Sequence, residues 1–248
     1  MGVVQRRVPR LYLERELAGA TLALDEREAH YLANVLRLAH GDELVAFNGR
    51  GRERRATVAA LRRRGAEIEL REELEPVPES RLDLTLLQAL PKADAMDLIV
   101  QKATELGVRT VAPVFTQFSV VKLDEERSER RVEHWRRIAA SACEQSGRHR
   151  PPEILPPAPL AARLAALPAE PRRIALDPQC AQRLEQAASG SAAAAVVAVG
   201  PEGGLGAEDW RRLDAAGFGR AALGPRVLRA ETAALAACAL LQARWGDV

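Results

Sequence analysis

Lysine is almost missing from this chain, 3 residues against 33 arginines in 248. Cysteine is scarce too: Cys143, Cys180 and Cys238 are odd in number and widely spaced, which excludes a disulfide framework and a paired-cysteine metal clip. The four histidines, His30, His40, His134 and His149, form no HExxH pattern and no cluster with cysteine, so no metal site is expected. Long apolar runs are absent as well. Runs such as Ala192 to Val199 fall far short of the roughly 20 residues that cross a bilayer. The opening MGVVQRRVPR also lacks the apolar segment of a secretory signal. Together these absences predict a soluble cytoplasmic protein with reduced thiols and no membrane or metal.

What is present is a hydrophobic fraction of 47%, enough for a sizeable core, and a net charge of only +2. The charge is unevenly spread. Between Arg50 and Arg64 seven arginines face the single acid Glu53, and RRVPR holds a second cluster at Arg6 to Arg10. Such patches suit a polyanion, because each arginine–phosphate contact adds salt-sensitive affinity. A solvated hairpin surface in an arginine- and alanine-biased composition is the plainer explanation.

Two patterns succeed one another along the chain. Residues 1–73 read as a compact barrel-like β module with one helix, Glu26 to Arg37, and turns at Asn48-Gly49 and Arg64-Gly65. LEPVPES interrupts both periodicities, which places a linker at 74–81. From 82 to 248 short apolar strands alternate with helices, predicting a mostly parallel sheet covered on both faces. Strands are expected at Leu82 to Leu90, Val108 to Phe115, Ile174 to Asp177 and Ala192 to Gly200. A long helix should start at Asp124 as N-cap and stop at Gly147, and Pro151 to Pro171 reads as a surface excursion with a short helix.

GPEGGLG, Gly200 to Gly206, follows an apolar strand, where open α/β sheets bind ligands. It is neither GxGxxG nor a Walker loop, having no lysine and no following serine or threonine. Glu202 would oppose a triphosphate. The glycines instead allow a less anionic nucleotide-like ligand close to the backbone, with Pro201 stiffening the entry and Glu202 holding the loop. A second loop, LGPRVLRAETAA from Leu223 to Ala234, precedes a long apolar helix. The pair predicts a composite pocket; the plain alternative is a tight glycine turn and a helix cap.

These two loops resemble the paired cofactor motifs of the RsmE family, the bacterial 16S ribosomal RNA uridine N3-methyltransferases of the SPOUT superfamily. Further likeness lies in RVPRLYL, HYLANVLRLAHGDELVAFNG, QKATELGVRTVAPVF, VKLD and WRRIAASACEQSGRHRPPEI. The resemblance implies an α/β fold: a SPOUT-type α/β methyltransferase domain with a C-terminal deep trefoil knot, preceded by a small PUA-like β-barrel domain. It also implies S-adenosyl-L-methionine as cofactor, a homodimer, and 16S rRNA in the 30S ribosomal subunit as partner, methylated at N3 of the uridine numbered 1498 in the family's reference. Cofactor-binding positions carried over are Leu176, Gly200, Pro201, Glu202, Gly203, Gly204, Leu223, Gly224, Leu228, Arg229, Glu231, Thr232 and Ala233.

Uracil N3 carries a proton and is a poor nucleophile until that proton leaves, so a base and a stabiliser of developing negative charge are needed. Glu231 is the candidate base, with Arg229 and Arg148 as stabilisers. Arg7, Arg10, Glu144, Gln145, Arg148 and Arg150 are candidate RNA contacts. One departure stands out: where the family carries serine-glutamate-arginine before its VKLD segment, this chain has Thr116-Gln117-Phe118-Ser119. Rival readings are a ribose 2′-O-methyltransferase, which would carry Ser-Leu-Asn at the last helix, and a noncatalytic RNA-binding or ribosome-assembly protein.

Overall fold

The computed structural model describes residues 8–92, 95–119 and 125–248. The chain divides into two compact units, Met1–Glu79 with Cys143–Arg150, and Ser80–Ala142 with Pro151–Val248. The partition is thus more than a single cut: one short late segment belongs with the first unit.

In the first unit β1 (Arg10–Tyr12), β2 (Thr21–Leu24), β3 (Glu43–Phe47), β4 (Glu53–Arg62) and β5 (Gly65–Leu74) form one sheet in the order β1-β3-β4-β5-β2, all pairs antiparallel except β1–β3. Among the described residues no ladder joins β1 to β2. Apolar side chains from every strand nevertheless share a core with the helix, including Leu11, Leu24, Leu32, Leu44, Val58 and Ile68. Helix α1 (Glu26–His30) is started by Asp25, whose carboxylate accepts the Glu28 N–H at 2.8 Å while Glu28 accepts the Asp25 N–H at 2.9 Å. The helix expected to reach Arg37 instead widens into a π turn at Tyr31–Val35, with Arg37 in the left-handed region at φ 56°. At the β4–β5 turn Gly65 is required, because a Cβ there would stand 2.8 Å from the Leu24 carbonyl.

Pairing of β4 with β5 also alters the charge picture. Arg55 meets Glu72 at 2.7 Å and Glu43 at 3.5 Å, Arg62 meets Glu67 at 3.7 Å, and Arg52 meets Glu73 at 3.9 Å. Three of the seven arginines are thus matched by glutamates of the neighbouring strand, Arg54 donates to the Arg71 and Gly19 carbonyls, and Arg63 and Arg64 stay exposed at the hairpin tip.

The second unit is built on β6 (Asp83–Ala89), β7 (Thr110–Phe115), β8 (Glu153–Ile154), β9 (Ala158–Pro159), β10 (Arg172–Leu176), β11 (Ala194–Val199) and β12 (Gly219–Ala221). All pairings are parallel, in the order β12-β10-β11-β6-β7-β8, with β9 also beside β7. Alternation along β11 sorts the two faces. Val197 and Val199 join a core with α2 (Ala95–Glu105), α3 (Glu125–Ser146) and α7 (Ala230–Trp245), through Ile99, Trp135 and Leu241. Val196 and Ala198 join the opposite core with α4 (Leu160–Ala165) and α6 (Ala207–Ala215), through Leu160 and Leu213. A one-turn helix α5 (Leu184–Ala187) follows β10. Both faces being covered, the strands read as continuous apolar runs.

Helix α3 stops at Gly147, φ 87°, whose N–H donates to the Cys143 carbonyl at 3.0 Å. Its expected N-cap Asp124 lies outside the described residues, as do Arg7 and the VKLD segment. The proline-rich excursion carries the expected short helix, but also β8 and β9, each two residues long and paired only with β7. No helix of the described residues is long and apolar enough to cross a membrane.

Candidate cofactor cleft at the carboxyl edge of the sheet

The carboxyl ends of β10 and β11 open into a cleft of about 840 Å³. Its floor is apolar, with Leu176, Val199, Leu205, Leu228 and Ala233; Asp177, Gln179 and Arg220 add polar groups to the rim. One wall is Gly200–Gly204. That loop turns on a hydrogen bond from the Gly204 N–H to the Pro201 carbonyl, 2.8 Å, with Gly204 at φ 75° and open space where a side chain would project. At Gly200 an added Cβ would press on Leu205 Cγ at 3.1 Å and the Gly204 backbone at 3.3 Å. The loop is therefore held so close that glycine alone fits without a shift.

Two carboxylates fasten this wall. Glu202 Oε1 accepts the Lys92 backbone N–H at 2.9 Å, tying the loop to the end of β6. Asp209, in the first turn of α6 and 2% exposed, accepts the Gly206 N–H at 2.9 Å and the Gln117 N–H at 3.0 Å. It thereby caps its own helix and joins it to the turn after β7. On the far side Arg220 lies over the Trp210 ring, 4.2 Å from its centroid, and bridges Asp214 at 2.6 Å and Asp177 at 3.6 Å.

The second loop contributes Val227, Leu228, Arg229, Ala230 and Ala233 to the cleft. Leu223 and Gly224 instead line an adjacent recess of about 230 Å³ with Arg183 and Arg226. Glu231 is half-buried and Thr232 exposed in the first turn of α7; neither lines the cleft. The structure therefore gathers Leu176, Gly200 to Gly204, Leu228, Arg229 and Ala233, and sets the other four carried-over positions just beyond. Sequence reasoning missed Asp177, Gln179, Trp210, Arg220 and Val227. Only Asp177 offered a signal, as the polar residue ending the strand IAL.

The candidate RNA contacts lie in the first unit. Arg10 forms a bidentate pair with Glu53 at 2.5 and 2.9 Å and stacks on Phe47, 4.5 Å from the ring centre. Arg148 is bound to Glu79 through Nε and Nη2, both 2.8 Å from one oxygen, with its side chain 9% exposed. Glu144 accepts the Tyr31 hydroxyl at 2.5 Å and the Tyr12 N–H at 2.9 Å. Burial pushes its carboxyl above the usual range despite those two bonds. Gln145 is exposed and Arg150 half-buried. Arg10, Glu144 and Arg148 are thus fixed as scaffold by internal partners.

A parallel sheet with a glycine-walled cleft at its carboxyl edge defines the class of open α/β domains that hold nucleotide-like ligands beyond their strand ends. The family described as RNA methyltransferase domain matches residues 78–242, and the RNA methyltransferase PUA domain matches 24–71. The chain is 33% identical to ribosomal RNA small subunit methyltransferase E of Synechocystis over 92% of its length and 75% of that protein's, and 32% identical to that of Mycobacterium tuberculosis, covering 92% and 89%. The chain belongs to the ribosomal RNA small subunit methyltransferase E family. Its fold matches the Neisseria gonorrhoeae enzyme bound to S-adenosyl methionine, with TM-score 0.89, 37% identity, and 97% and 99% of the two chains covered. A Legionella pneumophila methyltransferase in complex with the same cofactor gives TM-score 0.91 and 32% identity over 98% and 100%. The architecture is accordingly SPOUT-type α/β, with the knotted core of that fold, and a PUA-like amino-terminal domain.

The residues present fit such a cofactor. An adenosine needs a flat apolar slot with backbone groups at its edge and asks for no phosphate cradle. Leu176, Val199, Leu205 and Leu228 supply the slot, and the glycine loop supplies the edge.

Proposed function

We propose that this chain transfers a methyl group from S-adenosyl-L-methionine to N3 of a uridine in 16S rRNA of the small ribosomal subunit. The observation that carries the reading is the cleft itself, walled by both motif loops at the carboxyl edge of the sheet, in a chain of this family. When bound, S-adenosyl-L-methionine supplies an electrophilic methyl group on a sulfonium. The chain's own part is to position and to deprotonate. The glycine loop, fixed by Glu202 and Asp209, holds the cofactor pocket in shape before binding, which reduces the ordering cost.

For the proton on N3 we assign Glu231 as base and Arg229 as the cation that offsets negative charge on the uracil oxygens. Support comes from their place at the start of α7, where Arg229 is exposed at the rim of the cleft. The enzyme acts as a cytoplasmic homodimer. The apolar Val227, 82% exposed on the second loop, supports a partner surface there.

Labelled cofactor with undermethylated 30S subunits, followed by nucleoside mapping, tests the reading. N3-methyluridine at one site is expected. A ribose 2′-O-methyl product, or no product from competent subunits, rejects it.

A further inference from the structure

The turn after β7 stands against the cofactor loop. Thr116 to Ser119 closes on itself: Ser119 Oγ accepts the Thr116 N–H at 2.9 Å, and the Ser119 N–H donates to the Thr116 carbonyl at 3.1 Å. Asp209 holds the Gln117 N–H from below. So fastened, the turn leaves Phe118 47% exposed, its Cβ 3.2 Å from the point where a Cβ on Gly203 would stand. Phe118, Leu90, Lys92, Glu202 and Gly203 line a cavity of about 250 Å³. Glu202 and Gly203 also line the cofactor cleft. The two cavities share the glycine loop as a common wall.

An aromatic ring kept in water by a tied-down turn forgoes the gain of burial until another surface covers it. The cavity is small, which excludes a protein segment of ordinary interface size. Its other contributor is the exposed Lys92, one of three lysines in the chain. Glu202, the acid of the set, has one carboxylate oxygen engaged by a backbone N–H. An exposed ring in a cavity that a lysine also lines matches one unstacked nucleobase with its phosphate.

We propose that Phe118 and Lys92 form a stacking subsite for an unpaired nucleobase of the RNA substrate, separated from the methyl-transfer cleft only by the glycine loop. The proposal rests on the methyltransferase reading above. In it, Phe118 positions the strand without touching the reacting atoms.

The test compares wild type with F118A, F118L, F118W and K92A. Three readouts are needed: cofactor affinity by calorimetry, mass by sedimentation, and binding of the cofactor-loaded protein to undermethylated 30S subunits. Wild-type methylation, mapped separately, tells failure of the enzymatic reading from failure of the subsite. Expected are unchanged cofactor affinity and mass, about tenfold weaker subunit binding for F118A and F118L, and recovery in F118W, since stacking needs a ring and not mere bulk. K92A should weaken binding and flatten its salt dependence. Equal binding by F118A and wild type, or by F118L and F118W, overturns the proposal. So does loss of assembly in F118A, which would assign the ring to a contact between copies.

Discussion

Removing the Asp209 carboxylate tests whether the cleft wall is built before any ligand arrives. In D209A the Gly206 N–H is buried and loses its acceptor, a cost of about 1–3 kcal/mol. The Gln117 N–H lies in an exposed turn and can turn to water, so its loss costs about 0.5–1 kcal/mol. Loss of a negative charge from the first turn of α6 adds about 0.3–1 kcal/mol. The expected total is about 2–5 kcal/mol, read as a lower urea midpoint and a Tm drop of roughly 4–20 °C. D209N should cost under about 1.5 kcal/mol, because a single oxygen already takes both of the shorter bonds. Cofactor affinity, measured by calorimetry on the folded fraction, should fall in D209A as the glycine loop loosens. The reasoning fails if D209A unfolds within about 0.5 kcal/mol of wild type, or if D209N matches D209A.

E231Q should lower the single-turnover methylation rate at saturating cofactor by about 100-fold or more, the usual range for a general base; an unchanged rate would remove Glu231 from that role. Burial pushes the Cys143 and Cys238 thiols up to about 12, so a thiol reagent at mildly alkaline pH should titrate Cys180 alone in the native chain and all three after denaturation; rapid reaction of a second native thiol contradicts this. E144Q isolates the carboxyl that burial raises above 4.5. Below that pH the carboxyl is protonated in both states; as pH climbs past it the unfolded chain releases the proton first, so wild type should lose stability relative to E144Q. Urea unfolding of both proteins across that range checks the slope, and a difference independent of pH refutes it.

Much of the larger unit was legible because buried parallel strands are continuous apolar runs: IALD and AAAAVVAVG announce β10 and β11 directly. The elements that escaped, β8, β9 and β12, are two or three residues long and are defined by their neighbours in the sheet. The knot is likewise a property of threading, which no local pattern encodes. The cleft's glycine wall was readable from GPEGG, since few other sequences tolerate so close a turn. Its Trp210–Arg220 wall was not, because their stacking depends on where α6 and β12 meet. The partners of the arginines were not readable either. A linear window counts charges on one strand, whereas β4 faces the glutamates of β5, and Arg10 and Arg148 each close on a distant acid. Phe118 shows a different limit: nothing in the sequence says how far an aromatic in a turn is exposed.

The late segment Cys143–Arg150 sets a schedule for synthesis. The amino-terminal unit leaves the ribosome first, yet Tyr12 and Tyr31 find their acceptor, and Glu79 its guanidinium, only when residues 144 and 148 have been translated. Until then most of α3 and two strands of the other sheet must emerge while those groups stay solvated and the β sheet remains provisional. A fragment ending at Glu79 would be arrested at that stage, so the unit that appears first along the chain closes only when synthesis is already well into the second.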